Sequence, residues 1–233
     1  QTRPGEVGVP QGIKKGQRMT ALILFMVLIP ATYLIGAIPW GLIIGKWSRG
    51  VDVRNTGSGN IGSSNVLRSI GVQQAALVLI LDVAKGAVAV VVARNLAGIA
   101  DLSSLQTAYL ETTAALAALM GHNWPIYLRF RGGRGVATGL GCLLAFFPIG
   151  GIIALIIGVS LMKITHYISL GSIIGTSLGC LLLIVFGFLG EFSAVYGIFG
   201  ASASIIIVGR HRANIVRLLA GTEARLGQPA AKT

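Results

Sequence analysis

VATGLGCLLAFFPIGGIIALIIGVSLM, running from Val136 to Met162, is the stretch on which the topology of this chain turns. It exceeds the ~20 residues that a helix needs to cross a bilayer. Pro148, however, removes a backbone donor near its middle, and Gly150 and Gly151 follow directly. These residues suit two short helices folded into a hairpin, and the charges on either side favour the same reading. A single span here would separate the loop bearing Arg129, Arg131 and Arg134 from the segment bearing Arg210, Arg212 and Arg217. A hairpin returns both to one face of a membrane, where basic loops collect.

Working outward, further apolar runs occupy Ala21–Gly45, Gln74–Ala93, Leu102–Met120, Leu170–Gly190 and Ser193–Gly209. With 54% hydrophobic and only 11% charged side chains, the chain cannot solvate itself as an ordinary globule. The expected fold is all-α: a polytopic integral membrane protein of about seven transmembrane or membrane-embedded helices, with the short-helix hairpin near Pro148. Residues 1–18 read as a disordered polar tail before Met19, residues 19–227 as one membrane-embedded domain and residues 228–233 as a C-terminal tail. The first run is too long, and too interrupted by Gly36, Pro39 and Gly41, for a cleaved signal, so it is expected to remain as a helix. The net charge of +12 comes from 19 Lys and Arg against 7 Asp and Glu, and suggests loops held at an anionic leaflet. The basic loops then face the cytoplasm, and the poorly charged connections Ala97–Asp101 and Gly190–Phe192 lie outside. Lys14, Lys15 and Arg18 run against this orientation.

No basic stripe with interleaved aromatics points to nucleic acid. Cys142 and Cys180 sit in apolar runs without metal-ligand spacing and read as packing residues; no metal or cofactor is called for. No internal repeat supports a transporter of inverted halves.

Three polar clusters interrupt the apolar chain. In the first, Asn55 to Arg68, glycines let the backbone wrap an anion, Ser58, Asn60, Ser64 and Asn65 supply polar groups, and Arg68 brings a guanidinium fork. Gly57, Gly59 and Gly62 match a GxGxxG spacing, but no strand precedes them, so this is not a dinucleotide fingerprint. A plain Gly/Asn loop with a serine helix cap is the competing interpretation. In the second, Gly121 to Thr138, Gly132 and Gly133 lie between Arg131 and Arg134. Gly135 precedes a helix whose positive N-terminal end would add to an anion site. Its alternative is a basic loop anchored by Trp124 and Tyr127 at the interface. The third joins Tyr167–Ser172 to Arg210–Arg217, where His211 and Asn214 share a helical face, and Glu223 follows as a carboxylate able to orient an arginine. Within the spans, Asp82, Lys85 and Glu111 are costly at their depth and should pair inside the bundle as a structural brace, a proton relay being the alternative.

GSGNIGSSNVLR (Gly57 to Arg68), GHNWPIYLRFRGGRGVATGLG (Gly121 to Gly141) and GRHRANIVRLLAGTE (Gly209 to Glu223), together with Ser169–Ser172, resemble the acyl-phosphate:glycerol-3-phosphate acyltransferases of bacterial membranes, from about Leu22 to Gly227. That resemblance implies a seven-helix enzyme moving a fatty acyl group from acyl phosphate to the 1-hydroxyl of glycerol 3-phosphate in the inner membrane, with its active site on the cytoplasmic face. It implies no acyl-CoA or acyl-carrier-protein donor. Carried over by motif position, Ser58, Ser64, Arg134 and Ser172 resemble the phosphate pocket, and Arg68, Arg134, His211 and Asn214 the glycerol-3-phosphate side. Ser58, Arg134, Ser172 and His211 are then the expected catalytic set. Asn60, Ser64, Asn65, Arg68, Arg131, Gly132, Gly133, Gly135 and Asn214 are the expected substrate contacts. Arg131 and Arg134 stand where the family commonly has lysines, and Gly171 where it has an alanine-like residue. Gly135, Gly139 and Gly141 suggest close helix packing or a groove where the acyl tail leaves sideways into the bilayer. None of His122, His166 or His211 is followed four residues on by Asp, which excludes the His/Asp base of other acyltransferases. A membrane transporter of phosphate or organic phosphate is the alternative function.

Overall fold

A computed structural model describes residues 15–228. Among these, every regular element is helical: α1 (Lys15–Ala37), α2 (Trp40–Arg49), α3 (Ser63–Ser69), α4 (Val72–Ile99), α5 (Ser104–Asn123), α6 (Val136–Phe146), α7 (Pro148–Thr165), α8 (Ile168–Phe188), α9 (Tyr196–Arg210) and α10 (Arg212–Leu219), with short 3-10 turns at Val53–Asn55 and Ile126–Leu128. Among the described residues, α1 (running on into α2), α4, α7 and α8 are long and apolar enough to cross a membrane, α6 and α9 are shorter apolar helices, and α2, α3 and α10 gather at one end of the bundle.

The hairpin at Pro148 is present. The chain turns at Phe147, and Pro148 opens α7 at its first position, where a missing N–H costs nothing. Two boundaries differ from expectation. The run Ala21–Gly45 is broken at Ile38–Pro39 into α1 and α2, because proline lacks the donor and excludes its predecessor from the helical region. α1 also begins at Lys15, so the end of the expected tail is helical; residues 1–14 and 229–233 lie outside the described residues. Gln17 donates to the Asp101 carbonyl at 3.2 Å, which puts the start of α1 at the end of the bundle opposite the short helices.

Small residues bring the helices together. A side chain at Gly36 of α1 would overlap the Ala118 carbonyl of α5, and one at Gly121 of α5 would overlap the Tyr33 carbonyl of α1. Gly86 of α4 meets Thr138 in α6, and Gly141 of α6 meets Val83 in α4, in the same reciprocal way. Gly158 of α7 meets Gly171 and Gly175 of α8. In lipid there is no hydrophobic force between helices, so such close backbone approach and the dispersion it allows hold the pairs. Large residues accordingly turn outward: Ile80, Ile156, Leu181 and Ile205 are exposed, whereas Ala89, Ala93, Ala114 and Ala118 are fully buried. The central core of Leu119, Leu143, Leu183, Phe199 and Ile207 joins α5, α6, α8 and α9. Cys142 and Cys180 are buried and free within it.

Candidate functional site

The loop before α3 is built around Asn65, whose side chain is fully buried. Its Nδ2 donates to the carbonyls of Val53 and Asn60, both at 2.7 Å, and its Oδ1 accepts the Ser58 N–H at 2.8 Å. Gly57 and Gly59 take φ of 54° and 68°, a region closed to most side chains, so the loop can close around that amide. Asn65 was expected among the substrate contacts. Its polar atoms are spent on the loop, so it shapes the turn that presents Ser58. Ser64 lies in the first turn of α3 and does not line the pocket described below.

The glycine strap after α5 also differs from expectation. The Gly132 N–H donates to the Asn123 carbonyl at 3.2 Å and the Gly133 N–H to the His122 carbonyl at 3.0 Å, so neither is left for an anion. Their carbonyls accept from Arg210, at 3.0 Å from Nη2 and 3.1 Å from Nε. Arg210 also lies over the Trp124 ring at 5.7 Å. The glycines provide close packing, and Arg131 is exposed and off the pocket. Gly135, at φ 84°, starts α6 with no side chain capping its first N–H groups, and Arg134 stands just ahead of that end.

The C-terminal segment closes the site. Leu226 donates to the His166 carbonyl at 2.7 Å, which draws Glu223 against α8 and α10. Glu223 accepts from Ser169 Oγ at 2.7 Å, Asn214 Nδ2 at 2.6 Å and Arg217 Nε at 2.8 Å. Burial pushes its carboxyl upward, but these three donors outweigh that and hold it below the usual carboxylate value. His211 is buried, and its Nδ1 lies 2.8 Å from the Ile207 carbonyl, which places the proton on Nδ1 and leaves Nε2 as an acceptor. Burial lowers this histidine to about 4, so it is neutral at pH 7.

Together these segments enclose a cavity of about 230 Å³ lined by Ser58, Asn60, Arg68, Arg134, Arg210, Arg212, Ala213, Asn214, Arg217, Glu223 and Ala224. Five guanidiniums therefore face one carboxylate. Burial draws Arg134 down to about 10; Glu223 opposes this, and the cations of Arg217, Arg68 and Arg210 reinforce it. Arg68 is lowered by burial too; its Nη2 donates to the Ala224 carbonyl at 3.3 Å while its buried Nε has no partner among the described residues. The buried Asn214 Oδ1 likewise lacks a donor. Crowded cations with unspent donors, next to an open helix N-terminus, are an anion site. Arg210 and Arg212 had been read only as basic loop residues.

Ser172 is placed elsewhere. It lines an apolar groove of about 60 Å³ between α6, α7 and α8, with Val136, Leu140, Leu143, Gly158 and Gly175. The expected groove glycines do not form it: Gly141 abuts α4, Gly139 faces Ile207, and Gly135 packs on Asn123. The groove opens on the other face of α6, and its Val136 is two residues from Arg134.

The buried charges form two groups rather than one brace. Lys85 Nζ lies 2.8 Å from Asp82 Oδ1 and donates at 3.2 Å to the Ile38 carbonyl at the α1–α2 break, which also accepts the Trp40 N–H. Glu111 is apart from them, accepting from Arg94 Nε at 2.9 Å and Tyr196 Oη at 2.9 Å.

Fold and site define an all-helical integral membrane protein with an arginine-lined pocket beside an apolar groove. The glycerol-3-phosphate acyltransferase family model matches residues 25–221, and the chain belongs to that family. A glycerol-3-phosphate acyltransferase of Thermoanaerobacter sp. (strain X514) is 44% identical over 196 residues, covering 84% of this chain and 92% of the relative. One from Halalkalibacterium halodurans is 40% identical, covering 86% and 95%. The crystal structure of PlsY (YgiH), an integral membrane glycerol 3-phosphate acyltransferase, in its glycerol 3-phosphate form aligns with a TM-score of 0.76 at 34% identity, over 87% of this chain and 96% of that one. Its lysophosphatidic acid form aligns with a TM-score of 0.73 at 32% identity, over 89% and 96%.

Proposed function

We propose that this acyltransferase takes its acyl group from acyl phosphate, passes it to the 1-hydroxyl of glycerol 3-phosphate and releases lysophosphatidic acid and inorganic phosphate. The observation that carries this is the pocket itself: five arginines against one glutamate suit two phosphate dianions better than one. A thioester donor brings no phosphate to its reacting carbon. The apolar groove beginning near Arg134 suits a tail that enters from lipid while its head lies among the arginines.

Ser58 and Arg134 hold the phosphate of the acyl phosphate and Ser172 lines the groove beside its acyl end; Arg68 and Asn214 hold glycerol 3-phosphate, with the buried His211 orienting from behind the pocket wall. The 1-hydroxyl oxygen attacks the acyl carbon, the bond from that carbon to the phosphate oxygen breaks, and the hydroxyl proton passes to phosphate. Neutral His211 and the engaged Glu223 are left to orient rather than to take the proton. Catalysis then rests on proximity and on guanidiniums placed where charge develops. Membership in an acyltransferase family removes the transporter alternative. The basic loops at the pocket end support reading that end as the cytoplasmic side of a bacterial inner membrane, because basic loops collect there. Residues 19–227 form the single catalytic domain.

Purified protein supplied with glycerol 3-phosphate is expected to turn over palmitoyl phosphate and not palmitoyl-CoA, with one phosphate released per lysophosphatidate. Turnover of the thioester at a comparable rate would overturn the donor assignment. A trapped acyl-serine at Ser58 or Ser172 would overturn direct transfer.

A further inference from the structure

His122 ends α5 one layer beneath the pocket and is buried, as are Asp82 and Lys85 beside it on α4. Its Nδ1 has no hydrogen-bond partner among the described residues and stands 3.6 Å from Asp82 Oδ1, the oxygen that Lys85 Nζ approaches at 2.8 Å. The ring's other edge lies directly under Gly133, where any Cβ would overlap Nε2. From above, Arg210 grips the carbonyls of Gly132 and Gly133. From below, the carbonyls of His122 and Asn123 take both N–H groups. All four backbone polar groups of the glycine pair are thus engaged, and Arg134 is the next residue along.

We propose that His122, backed by the Asp82–Lys85 ion pair, is a positioning residue that sets the height of the glycine strap and so of Arg134 in the pocket. The inference rests on reading that pocket as the phosphate site. The ring works as a spacer of fixed thickness: it accounts for glycine at 133, for a costly ion pair in the membrane, and for an arginine pressing the strap from the opposite side. Removing it lets the strap sink, and misplacement of a binding group by about 1 Å costs up to ~100-fold in rate.

The test compares His122→Ala, Gly133→Ala and the double variant with the unsubstituted protein, by kcat/KM and by thermal unfolding in detergent. Each single variant is expected to lose about 10- to 100-fold in kcat/KM. The double variant should recover most of the Gly133→Ala loss, because the added methyl then occupies the space left by the ring. If His122→Ala does not fold, His122→Ser makes the same pairing. A double variant no better than Gly133→Ala, or a His122 variant that melts earlier with unchanged kcat/KM, would overturn the positioning role. Absence of acyl-phosphate turnover in the unsubstituted protein would instead defeat the functional reading beneath it.

Discussion

At the scale of single residues, Glu223 decides how the pocket's charges are arranged. It ties α8 through Ser169, α10 through Asn214, and the Arg217 guanidinium to one carboxylate. Glu223→Gln should lower stability by about 2 kcal/mol, less than for a fully buried pair because Arg217 is partly solvated. It should also reduce kcat/KM, since Asn214 and Arg217 lose their anchor; thermal melts with parallel kinetics check both effects. The pH dependence follows in sign. With its carboxyl held below the ordinary 4.5, Glu223 contributes stability that is complete above that value and lost as pH falls through the depressed one. His211 acts in a higher window: held at about 4 against an ordinary 6.5, it contributes stability above about 6.5 that fades as pH falls toward 4. Being neutral throughout the working range, it should leave no inflection near 6.5 in the pH profile of kcat/KM, and His211→Gln should keep much of the activity. An inflection that disappears in that variant would make His211 the proton acceptor.

At the scale of elements, α6 poses the hardest problem. Its 11 residues rise only about 16 Å, so its C-terminal carbonyls end inside the apolar layer. Arg94 of α4 answers this by donating to the Ala145 carbonyl at 3.0 Å while its other donors hold Glu111. The negative end of α6 therefore meets a cation, and its positive end lies beside the arginine pocket. Arg94→Met should cost about 1–2 kcal/mol by leaving the Glu111 carboxylate buried with Tyr196 alone, less than for a fully buried pair because the Arg94 side chain is 48% exposed. Arg94→Met with Glu111→Gln should melt later than Arg94→Met, because the stranded charge is gone. A double variant that melts earlier would mean that the helix cap, not the ion pair, carries the stability. The hairpin of α6 and α7 was legible because Pro148 and the charge asymmetry act locally and point the same way. The Arg94–Glu111 pair was not, since its partners are 17 residues apart on different helices. Asn65 and the Gly132–Gly133 strap misled for a related reason: their composition suits anion binding, and only the tertiary contacts reveal that their polar groups are already taken.

At the scale of the whole molecule, the proposed reaction brings a water-soluble acceptor and a membrane-resident donor together at one carbon. The fold arranges this by setting an arginine pocket at one end of the bundle against a groove that continues toward lipid between α6, α7 and α8. The polar residues of the pocket stand out in an apolar chain, which is why Ser58, Asn60, Arg68, Arg134 and Asn214 were legible as candidates that the structure brings together, while the rest of the expected set lies off the pocket. Of the two uses open to the glycines of α6, they serve close packing and the groove lies on another face, because every face of that helix is apolar or small and only packing decides which glycines meet α4. The corrected placement makes a chain-length prediction. Leu140 lines the groove beyond its mouth, so Leu140→Trp fills space that only a longer acyl chain enters. It should reduce kcat/KM for palmitoyl phosphate by about 10- to 100-fold, the effect of losing one to three kcal/mol of apolar contact. Butyryl phosphate, whose carbons end near Ser172 and Val136, should change by less than about twofold, and KM for glycerol 3-phosphate should stay as it was. Equal losses with both donors would mean that the substitution disturbs the pocket itself or that the tail leaves by another face; an unchanged KM for glycerol 3-phosphate would then single out the second, and the acyl path would have to be sought outside α6, α7 and α8.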